Sequence, residues 1–140
     1  MISVLLKVES RFLIDKDVLK KRIVAFLAPR VRRDTEVSIF IVGNRKMKTL
    51  NKKFRNIDKA TDVLSFPLNE IDPVDPSQVT AAKRFVADHS SPDLLLRLGD
   101  VVASYPEAIA EAIRSNRMVD EVVGELVEHG ILHLLGIHHD

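Results

Sequence analysis

Residues 119–139 read VDEVVGELVEHGILHLLGIHH, and the reading of that run decides the fold. It is mostly apolar, with residues such as Val122 and Leu126 at helical spacing, so it forms a last helix from about Val119 or Asp120 to Leu135. Gly136 stops that helix, because glycine takes the left-handed conformation that ends one. So apolar a helix must be buried against something. Working back from it, Pro106 suits the first turn of a helix carrying Ala108, Ile109, Ala112 and Ile113. Residues 94–104 give a strand around Val101 and Val102, and 62–67 (DVLSFP) another, whose terminal Pro67 favours a sheet edge. Residues 69–93, with Pro73, Pro76 and Pro92, read as a surface excursion with a short helix around 81–87. Nearer the N-terminus, 2–8 and 36–42 read as strands, and 16–28 as an amphipathic helix. That helix has Leu19, Ile23, Phe26 and Leu27 on one face, Asp15 as N-cap and Pro29 at its end. After the Gly43-Asn44 turn, Met47, Leu50 and Phe54 line one face of a second, very basic helix. The order β-α-β-α-β-β-α-α predicts a single α+β domain, 1–140, with a central mixed β-sheet packed by helices.

The chain has 140 residues, enough for one domain with a real core, and its 46% apolar and 29% charged composition excludes disorder of the whole. No apolar run approaches the ~20 residues that span a bilayer. The start, MISVLLKVES, lacks the features of a signal peptide. Without cysteines there are no disulfides, and any transition-metal site must use His and carboxylates. A cytoplasmic location is the expectation. The formal charge of +1 conceals an asymmetry: residues 1–59 carry 16 Lys/Arg against 6 Asp/Glu, and 60–140 carry 5 against 14. The basic excess lies in 20–33 and 45–59, which suits a polyanion such as RNA, although charge alone favours the plainer reading of two solvated helix faces.

Within the last helix, His129 and His133 stand four apart and project from one face, roughly 40° apart in rotation. Two imidazoles at that spacing can bind one tetrahedral ion. The reversal at Gly136 could bring His139 back as a third ligand, leaving one position open, as in catalytic rather than structural zinc. The pattern H-x-x-x-H-x-x-G-x-x-H matches metzincin ligand spacing, so one zinc per chain is expected, on the C-terminal helix and the turn after it. Val122 and Leu126 share the face of His129 and His133, which places these rings where the helix meets the core. Zinc peptidases put a Glu directly after the first His as general base. Here that residue is Gly130. Glu128 points roughly 100° away, and Glu125 lies one turn back, where a supporting contact to a ligand is the easier role.

At these residues the chain resembles the YbeY-type endoribonucleases, bacterial rRNA maturation factors. HGILHLLGIHH at 129–139 is similar to the family's H-G-x-L-H-L-x-G-Y-D-H. Leu50-Asn51 through Phe54-Arg55 to Thr61-Asp-Val-Leu-Ser-Phe-Pro67 resembles L-N-x-x-Y-R…T-D-V-L-S-F-P, and Leu98-Gly99-Asp100-Val101-Val102 resembles L-G-D-I-V. The resemblance implies a single-domain α+β fold, zinc on His129, His133 and His139, and cleavage of single-stranded RNA. It further implies processing of the 3′ end of small-subunit rRNA, ribosome quality control, and Arg55 as the base facing the metal. Ile137 and His138 replace the usual Tyr-Asp, and His138 could compete with His139 as ligand.

RNA cleavage develops negative charge on phosphorus-bound oxygens, and Arg55 can offer a planar fork to two of them. Lys52 and Lys53 are further candidate substrate contacts, and Asp62 and Ser65 could hydrogen-bond substrate or a neighbouring loop. No residue stands out as general base; a water on the metal or the RNA 2′-hydroxyl could be the nucleophile. Two other classes remain: a metallopeptidase or other zinc hydrolase, which Gly130 disfavours, and a non-catalytic RNA- or ribosome-binding module. The latter needs a fourth protein ligand to a structural zinc, from His138 or Asp140.

Overall fold

The computed structural model of the chain describes residues 1–68 and 95–136. Its elements run β1 (Ile2–Val8), α1 (Lys16–Leu27), β2 (Thr35–Val42), α2 (Asn44–Arg55), β3 (Val63–Pro67), β4 (Leu96–Ser104), α3 (Tyr105–Ser115) and α4 (Val119–Leu134). The helix expected over 81–87, and His138, His139 and Asp140, lie outside the described residues. The sheet has the order β1-β2-β4-β3, with β1–β2 and β2–β4 parallel and β3 antiparallel to β4. The expected mixed sheet of an α+β domain is therefore present, and β3, ending at Pro67, is an edge strand.

Strand alternation gives the sheet two different faces. Val37, Ile39, Ile41, Val101 and Ala103 point to one face, where they meet Leu19, Ile23 and Leu27 of α1 and Val123, Val127 and Ile131 of α4. Val42, Leu64 and Val102 point to the other, where Met47 of α2 covers them. Ala108 and Ala112 carry the buried side of α3, while Ile113 is turned outward.

Local chemistry explains where the elements begin and bend. The Asp15 carboxylate accepts from the Val18 N–H at 3.1 Å, the N-cap expected of α1. Ser104 Oγ accepts from the Glu107 N–H to cap α3 and donates to Asn44 Oδ1 at 2.8 Å, fastening the start of α2 to the end of β4. Register shifts by one residue where β2 pairs β4 between Glu36 and Val37, and Gly99 sits there with φ +130°. A Cβ at Gly99 would lie 2.3 Å from the Phe66 carbonyl oxygen, so only glycine fits this bulge.

The helix α2 departs from expectation in one respect. Met47 and Asn51 are buried and Leu50 half-buried, but Phe54 is 56% exposed. Its apolar stripe reaches past the sheet, and Phe54 packs on the edge, at Phe66 of β3.

Candidate metal centre

The last turn of α4 presents His129 and His133 together. Their Nε2 atoms are 3.2 Å apart, with ring planes at 62°. Two nitrogens bound to one tetrahedral zinc at their usual bond lengths would be separated by about 3.3 Å. The pair therefore has the span that a shared ion requires, and two neutral imidazoles are suitable donors. Leu135 follows the helix and Gly136 takes φ +80°, donating its N–H to the His133 carbonyl at 3.1 Å. The chain thus turns where the third ligand was expected to return. Among the described residues no third His, Cys, Asp or Glu joins the pair.

One expectation needs correction. The rings were placed where the helix meets the core, yet His129 is exposed and His133 half-buried. The reason is rotation: the buried face of α4 drifts from Val122 and Val123 to Val127, Gly130 and Ile131, so the stripe that begins at buried Val122 reaches its margin at Leu126, His129 and His133. Burial cost therefore says nothing here about metal binding; nitrogen convergence carries that argument.

Gly130 proves to be a packing residue. A Cβ there would lie 2.6 Å from Val101 Cγ1 and 3.1 Å from Ser65 Oγ, so α4 passes over β4 and β3 at a distance only glycine permits. The position faces the sheet, and no carboxylate could reach the histidines from it. Ser65 Oγ donates to the Gly130 carbonyl at 3.0 Å and ties edge strand to helix beside the histidines. Neither nearby acid is unpaired. Glu128 receives two bonds from Arg22, at 2.8 and 3.0 Å, which bind α1 to α4 and raise the Arg22 pKa. Arg117 donates to Glu125 at 2.5 Å and lowers its pKa.

The other expected site residues lie apart from the pair. Asp62 Oδ1 accepts from the Val63 N–H at 2.8 Å, and the residue lines a groove with Glu125 and Leu126, on the α4 stripe that continues to His129. Lys52, Lys53 and Arg55 are exposed on α2, across the sheet from α4, and no contact joins them to the histidines among the described residues. The two basic clusters likewise form no single patch, because α1 and α2 cover opposite faces. In the first cluster, Arg22 is spent on Glu128 and Arg30 stacks 3.9 Å above the Phe26 ring. Sequence reading gave Asn51 no role beyond its place in the Leu50-Asn51 match; its Nδ2 donates to the Lys59 carbonyl at 2.9 Å and holds the loop between α2 and β3.

Comparison with known proteins completes the picture. Residues 8–140 match the family model described as Endoribonuclease YbeY. The chain belongs to that family. It is 37% identical over 139 residues to the endoribonuclease YbeY of Dehalococcoides mccartyi, covering 99% of this chain and 77% of that one. It is 38% identical over 122 residues to the protein of the same name from Anaeromyxobacter dehalogenans, covering 87% of this chain and 53% of the relative. The chain thus spans about three quarters of the first and half of the second. The solution structure of TM1509 from Thermotoga maritima superposes with a TM-score of 0.58 at 26% identity, covering all of this chain and 75% of that one. Family and fold agree.

Proposed function

We propose that this chain is a zinc-dependent endoribonuclease cutting single-stranded RNA. Family membership supports the endoribonuclease reading, and the 3.2 Å convergence of His129 and His133 supports the metal. His129, His133 and His139 would hold one zinc per chain, with a fourth position open to substrate. Zinc held there would supply a Lewis acid for a phosphoryl oxygen. Arg55, exposed at the end of α2 beside Phe54, which packs on edge strand β3, would present its guanidinium fork to phosphate oxygens around that edge, while Lys52 and Lys53 would add backbone contacts. Ser65 holds edge strand to helix through Gly130 and keeps its oxygen as an acceptor; Asp62 lines the groove along α4. The proposed role is rRNA maturation, at the 3′ end of small-subunit rRNA, with ribosome quality control. Ribosomal components are its expected partners and the cytoplasm its place of action. Among the described residues no helix is long and apolar enough to cross a membrane.

Gly130 weighs against a peptidase, since a glutamate there would strike Val101. Against a binding module with structural zinc stands the need for a fourth protein ligand. The test is metal analysis beside single-turnover cleavage of a single-stranded RNA. His129→Ala and His133→Ala should lose most zinc; His139→Ala should weaken binding, and His138→Ala should not. Arg55→Lys should keep zinc and lose about tenfold or more in cleavage, with much less lost in RNA affinity. Zinc-loaded wild type that cuts no single-stranded RNA would overturn the proposal.

A further inference from the structure

We propose that the outer face of α2 is a single-stranded RNA-binding surface distinct from the histidine pair, on which Phe54 stacks a base while Arg45, Lys48 and Lys52 hold the backbone. This rests on RNA being the ligand. Only part of the α2 charge pattern supports the helix: Lys52, Lys53 and Arg55 suit its last turn, but the cations before them do not. Between Arg45 and Arg55 every exposed position is Arg or Lys except Thr49 and Phe54, and the helix contains no acid. Arg45 and Lys46 occupy the first turn, where the helix dipole favours carboxylates, and Lys48 and Lys52 repel one another at i, i+4. Of the α2 cations only Lys48 has a carboxylate partner among the described residues, Asp58 at 3.8 Å. So many cations without a carboxylate partner, two of them at the disfavoured end of the helix, are explained by a polyanion that compensates them.

The surface has a continuous shape. One depression is lined by Arg45 and Lys46 beside the Arg11–Glu9 ion pair, a second by Lys52 and Lys53 beside the Lys48–Asp58 pair, and the two share Thr49. They run along a helix about 18 Å long. At its C-terminal end Phe54 is 56% exposed, with Lys53 Nζ 5.2 Å from its ring centroid. Phe66 supports it edge-on at 5.1 Å. An open aromatic ring at the end of a basic groove is how proteins hold single strands without reading sequence. A phosphate-rich partner without bases, or an acidic protein, would use the cations and leave Phe54 idle. Because α2 and α4 lie on opposite faces of the sheet, the strand would reach the histidines around edge strand β3.

The chain has no tryptophan, so Phe54→Trp creates a sole reporter. The probe is a 2′-O-methyl oligouridylate of about ten nucleotides, within the range of single-strand sites. Inorganic polyphosphate is the base-free control. The oligonucleotide should quench Phe54→Trp and polyphosphate should not. Phe54→Ala should weaken oligonucleotide binding about fivefold or more, with unchanged salt slope and unchanged polyphosphate affinity, and Phe54→Tyr should restore it. Lys48→Glu with Lys52→Glu should flatten the salt slope. Wild type that binds the oligonucleotide regardless of Phe54, or loses both probes equally in Phe54→Ala, would overturn this surface and leave the RNA reading standing. Wild type that binds no RNA at all would overturn both.

Discussion

Gly130→Ala tests whether the histidine helix is positioned by contact with the sheet. The added methyl would lie 2.6 Å from Val101 Cγ1 and 3.1 Å from Ser65 Oγ. An ordinary carbon–carbon contact is about 3.5–4.0 Å, so helix and strand must part by about 1 Å. Val101 cannot yield easily: it is fully buried, and a β-branched side chain has few rotamers. Overpacking of this kind costs about 1–3 kcal/mol. Replacing glycine by alanine inside a helix returns about 1 kcal/mol. The net destabilisation is therefore about 0–2 kcal/mol, small enough that the protein folds and can be measured. The larger effect should be local. Parting helix and strand stretches the 3.0 Å Ser65–Gly130 bond and moves His129 and His133 relative to the chain after Gly136. Zinc affinity should fall more than thermal stability implies. Thermal unfolding followed by circular dichroism, together with competition for zinc against a chelator, reads both quantities. The decisive arm is a cycle with Val101→Ala, which opens the space the methyl needs. Gly130→Ala should then cost little in either measurement. If Gly130→Ala simply stabilises the protein at full zinc affinity, or costs the same with and without Val101→Ala, the packing argument fails.

Two further outcomes follow from the ion pair and the half-buried acid. Glu128→Ala strands Arg22, and with side chains only 20% and 32% exposed the loss should be about 1–3 kcal/mol; Arg22→Ala should add little to it, and full additivity in denaturant titration would refute the pairing. Burial raises the Asp100 pKa, so folding favours its protonated form. Below the unfolded-state value of about 3.9 this contributes fully, and it is lost as pH rises through the raised folded value. Asp100→Asn should therefore raise the melting temperature at neutral pH and change it little near pH ~3; a lowered melting temperature at neutral pH would show that the carboxylate is used.

What was legible in the sequence had a local cause. The last helix and its stop at Gly136 follow from residues within one turn of each other, as does the Asp15 cap. Pro67 places its strand at an edge because proline cannot donate to a neighbour. The features that escaped have causes far away in the chain. That α1 and α2 cover opposite faces, so that their cations form no single patch, depends on β2 pairing in parallel with β4, some 60 residues on. Gly130 reads locally as a weak point in a helix; Val101 and Ser65, distant in sequence, explain it. Phe54 falls in the apolar stripe of α2, and its exposure follows from β3 being the outermost strand among the described residues, so that its turn overhangs the sheet edge. The same edge accounts for the place where the two candidate sites would meet. Among the described residues no strand pairs with the outer edge of β3, so a single strand of RNA lying on α2 would pass around that edge to the histidine face. A sheet continued by one more strand would close that route.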